Sequence, residues 1–178
     1  NNQLYKQLDA ALAQRAHYIE LKEKSLNDIK QGAKYVTSNE DKLKLYEQLA
    51  NDYKAYEYDS AMTYVNKGLL LAQKSNNILF NKRFRLSQTR LLITRGFYAE
   101  AKEILQKIAP QEDSHNYQFL YYYTLYELYN NWAAYCENNE FSKNYNQKKM
   151  EYLKKAIELS PKKDAFYYYL MGELYYFS

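Results

Sequence analysis

Glycine, proline, cysteine and histidine are all scarce in this sequence, and each scarcity excludes something. Four glycines and two prolines in 178 residues leave few places to break a helix. Leu, Ala, Lys, Glu and Gln are abundant, and no run of alternating β-branched residues marks a strand. The chain therefore reads as all-α. A single cysteine, Cys136, excludes an internal disulfide and fits any compartment. No stretch reaches the ~20 consecutive apolar residues of a membrane span. The 25 bases and 21 acids are mixed along the chain, so the net charge of +4 is a solvated surface and not a nucleic-acid stripe. No DNA binding is expected of this segment.

Groups for catalysis are equally sparse. His17 and His115 are the only histidines, and neither has a Cys or carboxylate at a metal-ligand spacing. Both read as surface or capping residues. Cys136 has no histidine near it in sequence to activate it. There is no Gly-rich phosphate loop and no G-x-S-x-G elbow. The expectation is a non-enzyme with no cofactor and no metal.

What the sequence does contain is a repeat. In the stretch 45–72, LYEQLANDYKAYEYDSAMTYVNKGLLLA, Tyr46, Leu49, Ala50 and Tyr53 fall on one helical face and Ala61, Val65 and Gly68 on a second. Ala50 and Ala61 supply the short side chains that let two helices of a hairpin approach. This segment resembles a tetratricopeptide repeat, although Tyr53 to Ala61 is a residue shorter than the consensus turn and the turn glycine is missing. The same register returns around Gly96, with Leu92 before it and Ala101, Leu105 and Ile108 after it, closed by Pro110. Leu153, Ala156 and Pro161 close a third unit. Tyr168, Met171, Gly172 and Tyr175 open a fourth, which the sequence cuts in mid-repeat.

The resemblance implies a right-handed solenoid of antiparallel helix pairs, one continuous domain, with repeats at about 38–77, 78–113, 114–162 and an incomplete 163–178. Residues 1–37 hold one long amphipathic helix at 2–31, ended by Gly32. Its apolar side, Leu4, Leu8, Ala11, Leu12, Ile19, Leu26 and Ile29, is expected to pack on the first repeat. Ser38 with Asp41 resembles a capping box, and Ser114 or Asn116 can cap the helix predicted from Tyr117 to about Asn138. Residues 137–144 read as an insertion at a hairpin tip, either tolerated or used for binding, before a helix over 145–159. Chain start at Asn1 without Met points to a processed or excised form. A bare helix edge at Tyr175, Tyr176 and Phe177 would need more protein beyond Ser178 or a cover, and self-association through this edge is one reading.

Twenty-three tyrosines are the strongest oddity in composition. Helical spacing makes aromatics a core signal first, and a tyrosine can bury its ring and keep its hydroxyl wet. Residues 121–123 nevertheless sweep about 200° around a helix, so at least one of these tyrosines should be exposed or line a groove.

Stacked hairpins present their first helices on a concave surface. In the repeat register the groove positions are Lys44, Glu47, Asn51 and Lys54, then Arg83, Leu86, Arg90 and Thr94, then Tyr123, Glu127 and Asn130, then Tyr169 and Glu173. Such a groove has a basic end and a tyrosine-rich end. Lys54, Arg83 and Arg90 could receive a peptide carboxylate, and the tyrosines could pack apolar or sugar rings. The alternative is that these charges are only solvated helix faces. Glu47 stands where the carboxylate-clamp subclass has its first lysine, so chaperone-tail binding does not follow. The leading reading is a module that binds a protein or peptide. A glycan sensor with a tyrosine platform and a structural oligomerisation segment are the rivals.

A narrower resemblance covers about residues 4–110 well and the rest loosely. Asp9, Arg15, Tyr18, Lys22 and Glu23, followed by the Tyr58-Asp59-Ser60-Ala61 turn, look like the start of a Bacteroidetes-type family of tetratricopeptide regulators. In that family a periplasmic helical-repeat region is followed by a transmembrane helix and a cytoplasmic DNA-binding domain. The resemblance implies a periplasmic sensing or assembly role within a membrane-anchored protein.

Overall fold

The computed structural model describes residues 2–32, 35–111, 113–136, 140–162 and 164–177. These form eight α-helices: α1 (Asn2–Gly32), α2 (Asn39–Tyr53), α3 (Tyr58–Lys74), α4 (Ile78–Thr94), α5 (Tyr98–Lys107), α6 (His115–Tyr135), α7 (Glu140–Leu159) and α8 (Ala165–Phe177). No strand occurs among the described residues. Helices pack as the antiparallel pairs α2–α3, α4–α5 and α6–α7, with α3 against α4, α4 against α6 and α7 against α8. This is the all-α, tetratricopeptide-like repeat architecture that the register predicts.

Local chemistry sets the helix ends. Ser38 caps α2 by accepting from the Asp41 amide, Glu57 caps α3 through the amides of Asp59 and Ser60, Asn77 caps α4 and Ser114 caps α6. The turn between α4 and α5 needs Gly96, whose φ of 80° is costly for any residue with a Cβ. At the crossing of α3 and α4, Gly68 does a different job. A Cβ there would lie 2.2 Å from the Phe84 ring, so only hydrogen fits.

Three expectations need correction, two of them at the helix ends. Only the C-terminal part of α1 packs on the first helix pair: Leu26 is buried and Ile29 joins its cluster, whereas Leu4, Leu8 and Leu12 are exposed. The reason is length, since 31 residues span about 46 Å at 1.5 Å per residue and the 15 of α2 about half of that. Second, residues 140–144 are helical and α7 starts at Glu140; residues 137–139 of the expected tip insertion lie outside the described residues. An acidic residue in the first turn suits the helix dipole, and Tyr145 stacks on Trp132 at 4.6 Å, which ties the start of α7 to the end of α6.

The tyrosines divide by helix. Most of those of α6 are core: Tyr117, Tyr121, Tyr126 and Tyr129 are buried, Tyr117 and Tyr121 donate to the carbonyls of Ile108 and Leu105, and only Tyr135 at the C-terminal end of the helix is exposed. None of residues 121–123 is exposed and none lines the hollow between α2, α4 and α6, although the geometry of a helix called for one or the other, because α6 is covered by α4 and α5, by α7 and by α8. On α8, by contrast, Tyr168, Tyr169, Tyr175 and Tyr176 are exposed.

Candidate functional site

Helices α2, α4 and α6 run parallel, and ion pairs record their register. Glu47 on α2 receives the Arg83 guanidinium from α4 through Nε and Nη2, 36 residues further on. Arg90, two turns along α4, gives Nε at 2.7 Å and Nη2 at 3.1 Å to the Glu127 carboxylate of α6, 37 residues further on. Forked pairs of this kind fix orientation as well as charge. They also neutralise both arginines within the fold.

Between these three helices lies a cavity of about 380 Å³ lined by Glu47, Asn51, Arg83, Leu86, Arg90 and Asn116, among others. Its walls mix apolar patches, Leu79, Leu86 and Leu120, with amides and hydroxyls, Asn51, Asn116, Ser87 and Ser114. Lining by three separate helices makes it a groove with walls. A larger hollow of about 840 Å³ is lined from 143 to 158 by α7 alone, so it is an open helix flank.

Some of the residues expected in the groove line it, and others do not. Glu47, Asn51, Arg83, Leu86 and Arg90 line the cavity. Lys54 lines a narrow recess of about 20 Å³ beside it, together with Asn51, Ser87 and Arg90. Lys44 does not join them: it is exposed and pairs with Glu40 one turn away on its own helix. Thr94 is exposed, and its hydroxyl donates to the Leu91 carbonyl. Tyr123 is half-buried, edge-on to Phe166, with the Arg90 guanidinium 5.4 Å over its ring. Burial and the neighbouring Glu127 hold its phenol well above its ordinary pKa. Asn130 is half-buried on α6 and lines neither the cavity nor the recess. Tyr169 is exposed and stacks on Phe166. Glu173 accepts a 2.6 Å hydrogen bond from Tyr126 and so belongs to the α6–α8 contact.

The picture of a free basic end therefore changes. Arg83 and Arg90 already hold internal carboxylates, which the groove positions Glu47 and Glu127 supply. Ser87, Ser114, Asn116, Leu79 and Leu120 were not placed in the groove from the sequence. Ser87 had a signal, lying on the α4 face between Arg83 and Arg90. Ser114 and Asn116 read only as caps.

For metal chemistry, no cluster of three or more His, Cys, Asp or Glu side chains forms among the described residues. His17 is exposed on α1 and His115 is exposed at the start of α6. Cys136 is half-buried at the C-cap of α6.

Parallel first helices, small residues at the hairpin crossings and a walled concave groove define a tetratricopeptide-repeat protein. Within that class the chain belongs to the family described as the SusR N-terminal TPR domain, whose model matches residues 12–177. No curated protein and no solved structure matches it. Repeat domains of this class are helical protein-interaction modules, generally without catalysis. Among the described residues, no helix is long and apolar enough to cross a membrane.

Proposed function

We propose that this chain is the periplasmic sensing or protein-interaction part of a larger membrane-anchored regulator, and that it takes a peptide or an extended protein segment along its concave face. The observation that carries the reading is the cavity walled by α2, α4 and α6. Asn51 and Asn116 can each donate to a carbonyl and accept from an amide, as an extended backbone requires. Leu79, Leu86 and Leu120 provide apolar contact for alternate side chains. The Glu47–Arg83 and Arg90–Glu127 pairs hold the walls before a ligand arrives, which lowers the ordering cost of binding.

The glycan reading has less support. Sugar stacking asks for exposed ring faces side by side. Of the exposed tyrosines of α8, Tyr168 stands edge-on to Tyr167 at 76° and Tyr176 edge-on to Phe177 at 83°, and Tyr169 gives a ring face to Phe166.

The test is affinity selection from a library of random free octapeptides against the chain and against Asn51→Trp, which fills the groove. Peptides retained by the first and not by the second, at equal thermal stability, support the reading. Enriched peptides that ignore Asn51→Trp, or no enrichment at all, would contradict it.

A further inference from the structure

The charges around the concave groove do not cancel, and the remainder sits at one residue. Glu47 with Arg83, and Arg90 with Glu127, are complete ion pairs. Lys54 stands two turns beyond Glu47 on the same face and lines the recess with Arg90. Among the described residues no carboxylate reaches ion-pair distance of its ammonium. Sharing the recess with it is the Arg90 guanidinium, whose Nε and Nη2 are committed to Glu127 and whose Nη1 keeps its two N–H groups.

Lys54 is also half-buried. Ala50, Val65 and Leu91 form the apolar wall of the recess, and Asn51 and Ser87 are the neutral polar groups beside it. Burial, then the like charge of Arg90, holds the lysine pKa below its usual value, partly offset by Glu127. A desolvated cation next to another cation is unfavourable until an anion arrives. At about 20 Å³ the recess has room for little more than a water molecule or one small polar group. It shares Asn51, Ser87 and Arg90 with the larger cavity, so a group held in it continues directly into the groove.

We propose that Lys54, assisted by Asn51, Ser87 and the Nη1 edge of Arg90, is an anion anchor that receives a carboxylate of the ligand lying in the concave groove. The ammonium and guanidinium donate to the carboxylate oxygens, and the Asn51 amide and Ser87 hydroxyl complete their shell. This rests on the peptide-groove reading for the remainder of the ligand but not for the anion itself. The carboxylate can be a peptide C-terminus or an acidic side chain.

The first experiment follows the Lys54 side chain by NMR in lysine-labelled chain. The probes are N-acetyl-glycylglycine and its C-terminal amide, at constant ionic strength. The result expected is a saturable shift of Lys54 with the carboxylate, a rise of its pKa, and no response to the amide. In Lys54→Met the accompanying shifts of the Asn51 and Ser87 amides disappear. A Lys54 resonance that ignores the carboxylate, or follows both probes equally, overturns the proposal.

The second experiment measures peptides selected by the groove. Lys54→Met weakens them about tenfold, the scale of one charge-assisted hydrogen bond. An equal loss on C-terminal amidation identifies the terminus as the source, and an equal loss on neutralising an internal acid identifies a side chain. Selected peptides that are lost in Asn51→Trp but indifferent to Lys54→Met overturn the anchor and leave the groove standing. A Lys54 response to the small carboxylate with no peptide ever retained supports the anchor and contradicts the groove.

Discussion

At the scale of single residues, the sequence was most informative where a small side chain is required. Gly68 and Ala61 were legible because a helix crossing leaves no alternative, and both are buried. Gly68→Ala is expected to destabilise the chain by about 1–3 kcal/mol, the usual cost of overpacking, because the Cζ and both Cε carbons of the Phe84 ring would lie within 2.4 Å of the new methyl. A denaturant midpoint unchanged from wild type would contradict the crossing geometry. Lys54 makes the opposite prediction. Lys54→Met keeps the apolar stem and removes a dehydrated charge, so it should leave stability unchanged or raise it by up to about 1 kcal/mol. What the sequence could not show was pairing. Arg83 and Arg90 read as available cations, since Glu47 and Glu127 lie 36 and 37 residues away and face them only once the helices stack.

At the scale of elements, α1 shows how a polar contact hidden in the sequence docks a helix. Glu23 accepts from the phenols of both Tyr53 and Tyr56, Lys30 donates to Tyr53, and Lys22 pairs with Asp52 at 2.8 Å. Lys22 and Glu23 entered the sequence reading as part of a family resemblance, without a partner. Glu23→Leu removes an acceptor shared by two phenols, one of them on the buried Tyr53, and should cost about 1–3 kcal/mol. Hydrogen exchange would report it as loss of protection in residues 19–30 ahead of global unfolding. Equal protection in the variant would mean that Leu26 and Ile29 alone hold the helix. The inter-repeat pair is the other element-scale case. Glu127→Gln weakens the clamp between α4 and α6 and should cost about 1–2 kcal/mol, reduced from a fully buried pair by its partial exposure. The helix ends were read well at Ser38 and Ser114, where capping chemistry is local. The start of α7 was misjudged, because stacking of Tyr145 on Trp132 is a tertiary contact.

At the scale of the whole molecule, the all-α repeat architecture was legible because its evidence is periodic and local, from Ala50 and Ala61 to Gly96 and Pro110. The groove was legible as a face, and its chemistry was not. The distribution of tyrosines adds a solution property. Burial raises the phenols of Tyr121 and Tyr129 from 10 to about 12. The folded chain therefore holds protons that the unfolded chain has lost, so stability falls as pH rises from 10 through 12 and is unaffected by these groups below that window. Unfolding midpoints followed with tyrosinate absorbance should drop together across it. A chain that titrates all its tyrosines near pH 10 with its helicity intact would contradict the buried α6 cluster.

A backbone chemical-shift map of the chain with a groove-selected octapeptide would locate the binding face residue by residue. A peptide in the concave groove should concentrate the shifts on α2, α4 and α6 around Asn51, Ser87, Arg90 and Asn116, with α7 silent. Shifts confined to the outer helices α3, α5 and α7, or to the exposed tyrosines of α8, would contradict a concave binding face.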